Sequence, residues 1–192
     1  MDVIVTNLQG AQVDAGFVRD VIVQALRLQG YREPRDVSVA LVDDSYIRVL
    51  NREYRGGDYA TDVLAFPIDA GAPENGGRPT SSKGGEALLG DIVISIERAR
   101  DQARQYRHPV RREVALLAIH GLLHLLGYDD ETEGAASVMW ARQTELLQSI
   151  LGERPRPSPS SRSGRSGGSA RSRDTLRRRR RTGRGAPRGL RR

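Results

Sequence analysis

Val37-Ser-Val-Ala-Leu-Val-Asp-Asp-Ser-Tyr-Ile-Arg-Val-Leu-Asn-Arg-Glu-Tyr54 changes its apolar period part-way along, and that change decides the fold class. Val37–Val42 is a short apolar run with the length and β-branched content of a buried strand. Asp43, Asp44 and Ser45 then supply cap chemistry for a short helix carrying Ile47, Leu50 and Tyr54 on one side. Gly56–Gly57 breaks that helix. Further on, Asp62–Phe66 reads as a second core strand closed by Pro67, and Leu88–Ile96 as another, followed by a charged helix from Glu97 to about Arg107. Before the opening stretch, Val3 and Val5 alternate with polar neighbours as a strand does. Phe17, Val18, Val21, Ile22, Ala25 and Leu26 recur at helical spacing, with Gly30 as the stop. On the C-terminal side His108–Pro109 punctuates, because the residue before proline is pushed out of the helical region. Pro109 opens a helix over Val110–Leu126 that Gly127 ends. A last helix runs from about Glu133 to Leu151 with Val138, Met139, Leu146, Leu147 and Ile150 as its apolar face. Strands and helices interleave, which predicts a single α/β (α+β) domain with a mixed sheet of about four strands and about five helices. No internal repeat is visible.

The 192 residues are 38% hydrophobic and 29% charged, enough for one folded domain and a remainder. The net charge of +7 is unevenly placed. Of 31 basic residues 15 lie after Ile150, against two of the 24 acids, so residues 151–192 carry +13 and residues 1–150 carry −6. The expected organisation is a folded domain over residues 1–152 and an Arg/Ser/Gly-rich basic tail over residues 153–192. Such a tail cannot bury enough apolar surface to offset its ordering entropy, so disorder is expected. Ala70–Gly85, rich in Gly, Pro, Ser and Asn, reads as a mobile loop.

Cysteine is absent, which excludes disulfides, iron–sulfur clusters and thiolate zinc sites and leaves His and carboxylates as metal ligands. The first ten residues, MDVIVTNLQG, lack a basic region followed by an apolar run, so no secretory signal is expected. The longest apolar stretch, Val114–Leu126, has 13 residues and contains two histidines. A membrane span needs about 20. The expected compartment is the cytoplasm, with no membrane partner.

The chemistry lies in Val114-Ala-Leu-Leu-Ala-Ile-His-Gly-Leu-Leu-His-Leu-Leu-Gly-Tyr-Asp-Asp130. His120 and His124 are four apart, so on a helix both imidazoles leave one face about one turn apart, as two ligands of one ion require. Gly127 lets the chain leave the helix with positive φ. Asp129 and Asp130 follow the turn, where a carboxylate completes three protein ligands and leaves a position for water. Spacing alone does not separate the two aspartates. The plainer alternative is a pair of core histidines satisfied by hydrogen bonds. Two of the chain's three histidines on one face of an apolar helix, followed by a turn and carboxylates, argue against it. The spacing invites comparison with zinc proteases carrying His-Glu-x2-His, whose glutamate is the general base. Gly121 stands at that position and cannot take a proton, so a protease is not expected.

His120-Gly-Leu-Leu-His-Leu-Leu-Gly-Tyr-Asp129 resembles the signature of the YbeY family, bacterial endoribonucleases of ribosomal RNA maturation. Tyr54-Arg-Gly-Gly-Asp-Tyr-Ala-Thr-Asp-Val-Leu-Ala-Phe-Pro67 and Leu89-Gly-Asp-Ile-Val-Ile-Ser95 agree with it, and the likeness spans roughly Val37–Leu151. The resemblance implies a mixed α/β domain, one zinc ion per chain and cleavage of single-stranded RNA. It further implies work on the 3′ end of 16S ribosomal RNA and on defective ribosomes, with the small subunit and assembly factors as partners and no nucleotide cofactor. It implies His120, His124 and, by position, Asp130 as metal ligands, with Arg55 and His120 as catalytic residues. The family usually has a third histidine where Asp130 stands and Leu-Ser-Phe-Pro where this chain has Leu-Ala-Phe-Pro. Aspartate is a competent zinc ligand, and it lowers the net positive charge of the site.

Arg55 suits the chemistry, since phosphodiester cleavage builds charge on non-bridging oxygens to which a guanidinium presents paired donors. Asp62 either orients Arg55 or a water, or caps a turn. The arginines of the tail suit phosphate binding without sequence preference. Two other function classes remain in view: a non-catalytic ribosome-assembly factor with a structural metal, and a metal-dependent hydrolase of another class. Three protein ligands argue against the first, because structural sites usually close with four.

Overall fold

The computed structural model describes residues 2–31, 36–68 and 88–152. The loop expected over Ala70–Gly85 and the tail over residues 153–192 lie outside the described residues. The described elements are β1 (Val3–Asn7), α1 (Ala15–Leu28), β2 (Asp36–Val42), α2 (Asp44–Arg55), β3 (Val63–Pro67), β4 (Leu88–Ser95), α3 (Ile96–Tyr106), α4 (Val110–Leu125) and α5 (Glu133–Leu151). Four strands form one sheet in the order β1-β2-β4-β3. β1 and β2 run parallel with Val3 opposite Val37, and β2 and β4 run parallel with Val39 opposite Ile92. β3 is antiparallel to β4, with Ala65 opposite Ile92. The expected mixed sheet of four strands with five helices is the one observed.

Caps set most helix starts. Asp14, Asp43, Ser95 and Thr132 each accept a backbone N–H of the first turn on their side chains, satisfying donors that a helix start leaves free. Pro109 precedes α4 without a side-chain cap, and its fixed φ sets the entry instead. Ser95 acts as a cap, so β4 stops there and Ile96 opens α3, one residue before the end expected for this strand.

Alternation along the strands divides the core between the two faces of the sheet. Val37, Val39, Leu41, Ile92 and Ile94 belong to the main core with α1, α4 and α5. Val42, Leu64 and Val93 point the other way and pack with Ile47 of α2. α4 is the central helix: ten of its 16 residues are buried, on more than one side, as expected of a helix without a polar face. Its approach to the sheet is close at Gly121, where an added Cβ would lie 2.7 Å from Ile92 Cγ2. Among the described residues no helix is long and apolar enough to cross a membrane.

α5 departs from the expected face. Met139, Leu146 and Leu147 are buried and Ile150 is half-buried, but Val138 is 61% exposed. The inward stripe runs Met139, Gln143, Leu146, Leu147, so a polar residue takes a core position and the valine faces out.

Candidate metal centre

α4 carries His120 and His124 one turn apart, and their rings meet edge to face with centroids 4.7 Å apart. The Nε2 atoms lie 3.1 Å from one another. The helix stops at Leu126, and Gly127 takes the expected left-handed conformation at φ 84°. That reversal brings Asp130 back, with Oδ2 3.9 Å from His120 Nε2 and Oδ1 3.9 Å from His124 Nε2. One ligand atom from each of the three residues can be chosen so that all lie within 4.8 Å of one another. Asp129 is employed otherwise: its carboxylate accepts the Glu131 N–H at 3.0 Å and shapes the turn.

The remaining ring nitrogens decide what the site can do. His124 Nδ1 faces the Tyr128 carbonyl at 3.2 Å, and a carbonyl only accepts, so Nδ1 carries the proton. His120 Nδ1 faces Gln143 Oε1 at 2.9 Å, with the same consequence. With both rings neutral, as metal ligands must be, both Nε2 atoms direct lone pairs into one space, beside a carboxylate. Lone pairs at that separation repel unless a cation lies between them. Two nitrogens about 2.0–2.1 Å from a tetrahedral ion sit roughly 3.3–3.4 Å apart, near the observed spacing. The residues present thus fit a metal ion, and the group can hold one. Burial pushes the His124 pKa down, His120 adds to the effect, Asp130 and the Tyr128 carbonyl oppose it, and Arg55 pushes it down further. A depressed pKa keeps the imidazole neutral, as a ligand must be.

Arg55 closes α2, is exposed, and is near enough for its charge to act on His124. The loop beyond it is tied back to α2: Arg48 donates to both carboxylate oxygens of Asp58 at 2.9 and 3.0 Å, and buried Asn51 donates to the Tyr59 carbonyl at 3.0 Å. Asp62 does not orient Arg55. Its Oδ1 accepts the Val63 N–H at 2.8 Å and its Oδ2 accepts Gln102 Nε2 at 2.8 Å, which anchors the start of β3 to α3. The structure brings together His120, His124 and Asp130 with Arg55 in electrostatic reach, and leaves Asp129 and Asp62 in turn and strand roles.

Sequence reasoning missed Gln143. A polar residue four places from Met139 and three from Leu146, on an otherwise apolar stripe, was the signal available. Gly121 also gains a structural reason beyond its lack of a base, since Ile92 occupies the space a glutamate side chain would need.

Comparison with known proteins follows the same residues. Residues 5–151 match the family model described as Endoribonuclease YbeY. An Endoribonuclease YbeY from Pelotomaculum thermopropionicum is 44% identical over 151 residues, covering 77% of this chain and 95% of that protein. One from Geobacillus thermodenitrificans is 45% identical over 132 residues, covering 68% of this chain and 82% of that protein. The solution structure of a Thermotoga maritima protein matches with a TM-score of 0.52 and 25% identity, over 85% of this chain and 99% of that one. The chain belongs to the YbeY endoribonuclease family and is an RNA-cleaving hydrolase.

Proposed function

We propose that this endoribonuclease is zinc-dependent, cleaves single-stranded RNA, and acts in the cytoplasm on the 3′ end of 16S ribosomal RNA and in ribosome quality control. One zinc ion per chain is held by His120, His124 and Asp130. The small ribosomal subunit and its assembly factors are the partners. The observation that carries the reading is the convergence of two Nε2 lone pairs, each fixed by an acceptor behind its ring, on a space faced by a carboxylate. The ribosomal role rests on the likeness of the 54–67, 89–95 and 120–129 motifs to the family.

A bound ion supplies Lewis-acid chemistry at the scissile phosphodiester and makes water more acidic. The chain's own residues do the rest. His120 and His124 stay neutral and oriented, and the family likeness counts His120 among the catalytic residues as well. Asp130 balances part of the cation's charge. Arg55, exposed at the end of α2, presents a two-pronged donor to the non-bridging oxygens as their charge grows. Residues 1–152 form the catalytic domain in this reading, and the arginines of residues 153–192 add affinity for the RNA backbone.

The test is incubation of the purified chain with a single-stranded RNA, a duplex of the same sequence, and a peptide substrate, each with and without chelator. Cleavage of the single strand alone, abolished by chelation and restored by zinc, is the expected result. RNA binding without cleavage makes the chain an assembly factor. Hydrolysis of the peptide places it among hydrolases of another class.

A further inference from the structure

Gln143 is 7% exposed on a helix face otherwise built of Met139, Leu146 and Leu147. Leucine would fill such a position without placing a polar amide in the core, so the amide needs a partner. Its partner is His120 Nδ1, at 2.9 Å, 23 residues away on α4. We propose that Gln143 is a positioning residue of the metal centre: its side-chain carbonyl holds the His120 proton on Nδ1 and so aims the Nε2 lone pair at His124 and Asp130. The inference rests on His120, His124 and Asp130 being the ligand set.

Three features support the assignment. A neutral imidazole carries one proton, and whichever nitrogen keeps it cannot bind a metal, so the partner behind the ring chooses the tautomer. Gln143 is held in place by its neighbour: Arg142 Nε and Nη2 donate to Gln29 Oε1 at 2.8 and 2.7 Å, which fixes the rotation of α5 against the end of α1. The same Gln29 reaches the other histidine's support, because its Nε2 donates to the Tyr128 hydroxyl at 3.4 Å and the Tyr128 carbonyl accepts from His124 Nδ1 at 3.2 Å. The two imidazoles are thus braced from behind through one bridge between α1, α5 and the turn after α4. Both braces are neutral acceptors, so Asp130 supplies the only negative charge of the three ligands. A carboxylate behind His120 would make that ring a stronger ligand.

The experiment compares the full-length chain with Gln143→Met and Gln143→Glu. Zinc affinity is read by competition with a chelator, and the His120 tautomer by nitrogen NMR on the metal-free protein at mildly alkaline pH. His120→Ala serves as the control for the ligand set. The parent should show the Nδ1–H tautomer at His120. Gln143→Met, close in length but without an acceptor, should show a mixed tautomer and bind zinc about 10–100-fold more weakly, with a melting temperature near the parent's. Gln143→Glu keeps an acceptor, so it should retain the tautomer and bind zinc at least as tightly as the parent. Parent-like tautomer and affinity in Gln143→Met, while His120→Ala loses zinc, overturn the role of Gln143 and leave the ligand set standing. Zinc retained in His120→Ala overturns the ligand set itself. Should Gln143→Met not fold, weaker zinc binding by Gln143→Glu than by the parent overturns the proposal on its own.

Discussion

His108 Nε2 lies 2.9 Å from Glu113 Oε2, joining the end of α3 to the first turn of α4, with the two side chains 15% and 4% exposed. This is a polar cluster separate from the candidate metal centre. It places the third histidine of the chain in a structural pair.

Burial raises the Glu113 pKa above its ordinary 4.5; His108 and Arg112 pull it down in part, and Asp62 pushes it up further. The folded state therefore holds the proton more tightly than the unfolded chain. The stability this gives is fully present below the ordinary value and is lost as pH rises through the folded value. Glu113→Gln cannot ionise, so its melting temperature should gain on the parent's as pH rises from about 4.5 toward neutrality, both proteins metal-free. A difference that stays constant with pH would falsify this account of the pair.

Gly121→Ala tests how α4 meets the sheet. The new Cβ would stand 2.7 Å from Ile92 Cγ2, a branched side chain on a central strand that moves little. Overpacking costs about 1–3 kcal/mol, while replacing a mid-helix glycine by alanine returns about 1. The net should be a loss of up to about 2 kcal/mol, read by denaturant unfolding. Combined with Ile92→Ala, which makes room, the losses should sum to less than their separate values. Full additivity would place the strain elsewhere.

Removal of both histidine side chains in turn tests the metal centre. His120→Ala and His124→Ala should each lose zinc, and Asp130→Ala should bind it more weakly. Asp130→His should retain it. Asp129→Ala should keep full metal content, because its carboxylate serves the Glu131 N–H of the turn. Elemental analysis of the five proteins decides, and loss of zinc in Asp129→Ala alone would exchange the two aspartates.

The element order and the sheet type were legible because changes of period sit beside a cap or a glycine, as at Asp43 and Gly127; the cap at Ser95 went unread, which carried the strand one residue too far. The 120–130 cluster was legible because its geometry is local: a helical repeat and one turn bring all three residues together. What acts across elements was not. Gln143 meets His120 only because α5 packs on α4; its place on an apolar stripe marks it as unusual but does not name a partner 23 residues back. Val138 misled because an apolar residue beside Met139 reads as core, whereas the packing rotates α5 to put Gln143 inside and Val138 out. Asp62 was ambiguous between a partner for Arg55 and a cap until its bonds to Val63 and Gln102 were seen.

Truncation after Gly152 separates the tail from the centre. It removes 15 arginines and two acids while sparing His120, His124, Asp130 and Arg55. Zinc content should be unchanged and RNA binding weaker. The salt dependence should flatten by roughly 0.7 in log–log slope for each phosphate of the single strand that the tail no longer neutralises. Parent-like slopes in a filter-binding titration would mean that the tail contributes nothing to RNA affinity.

Arg55 should act on the transition state rather than on fold or metal. It is exposed at the end of α2, so its removal leaves no core cavity, and the loop that follows is held by Arg48–Asp58 and Asn51–Tyr59 without it. As a cation it is no ligand, and zinc content of Arg55→Ala should match the parent's. Its charge acts on His124, so the guanidinium lies within electrostatic reach of the candidate centre. One well-placed donor to developing charge is worth about 3 kcal/mol, or roughly a hundredfold in rate. Lysine keeps the charge and loses the fork, so Arg55→Lys should recover part of that loss and no more. Cleavage of one single-stranded RNA by the parent, Arg55→Ala and Arg55→Lys, with zinc content and melting temperature alongside, separates the cases. Parent-like cleavage by Arg55→Ala reduces Arg55 to a surface residue, and a fall in melting temperature or zinc content makes its role structural.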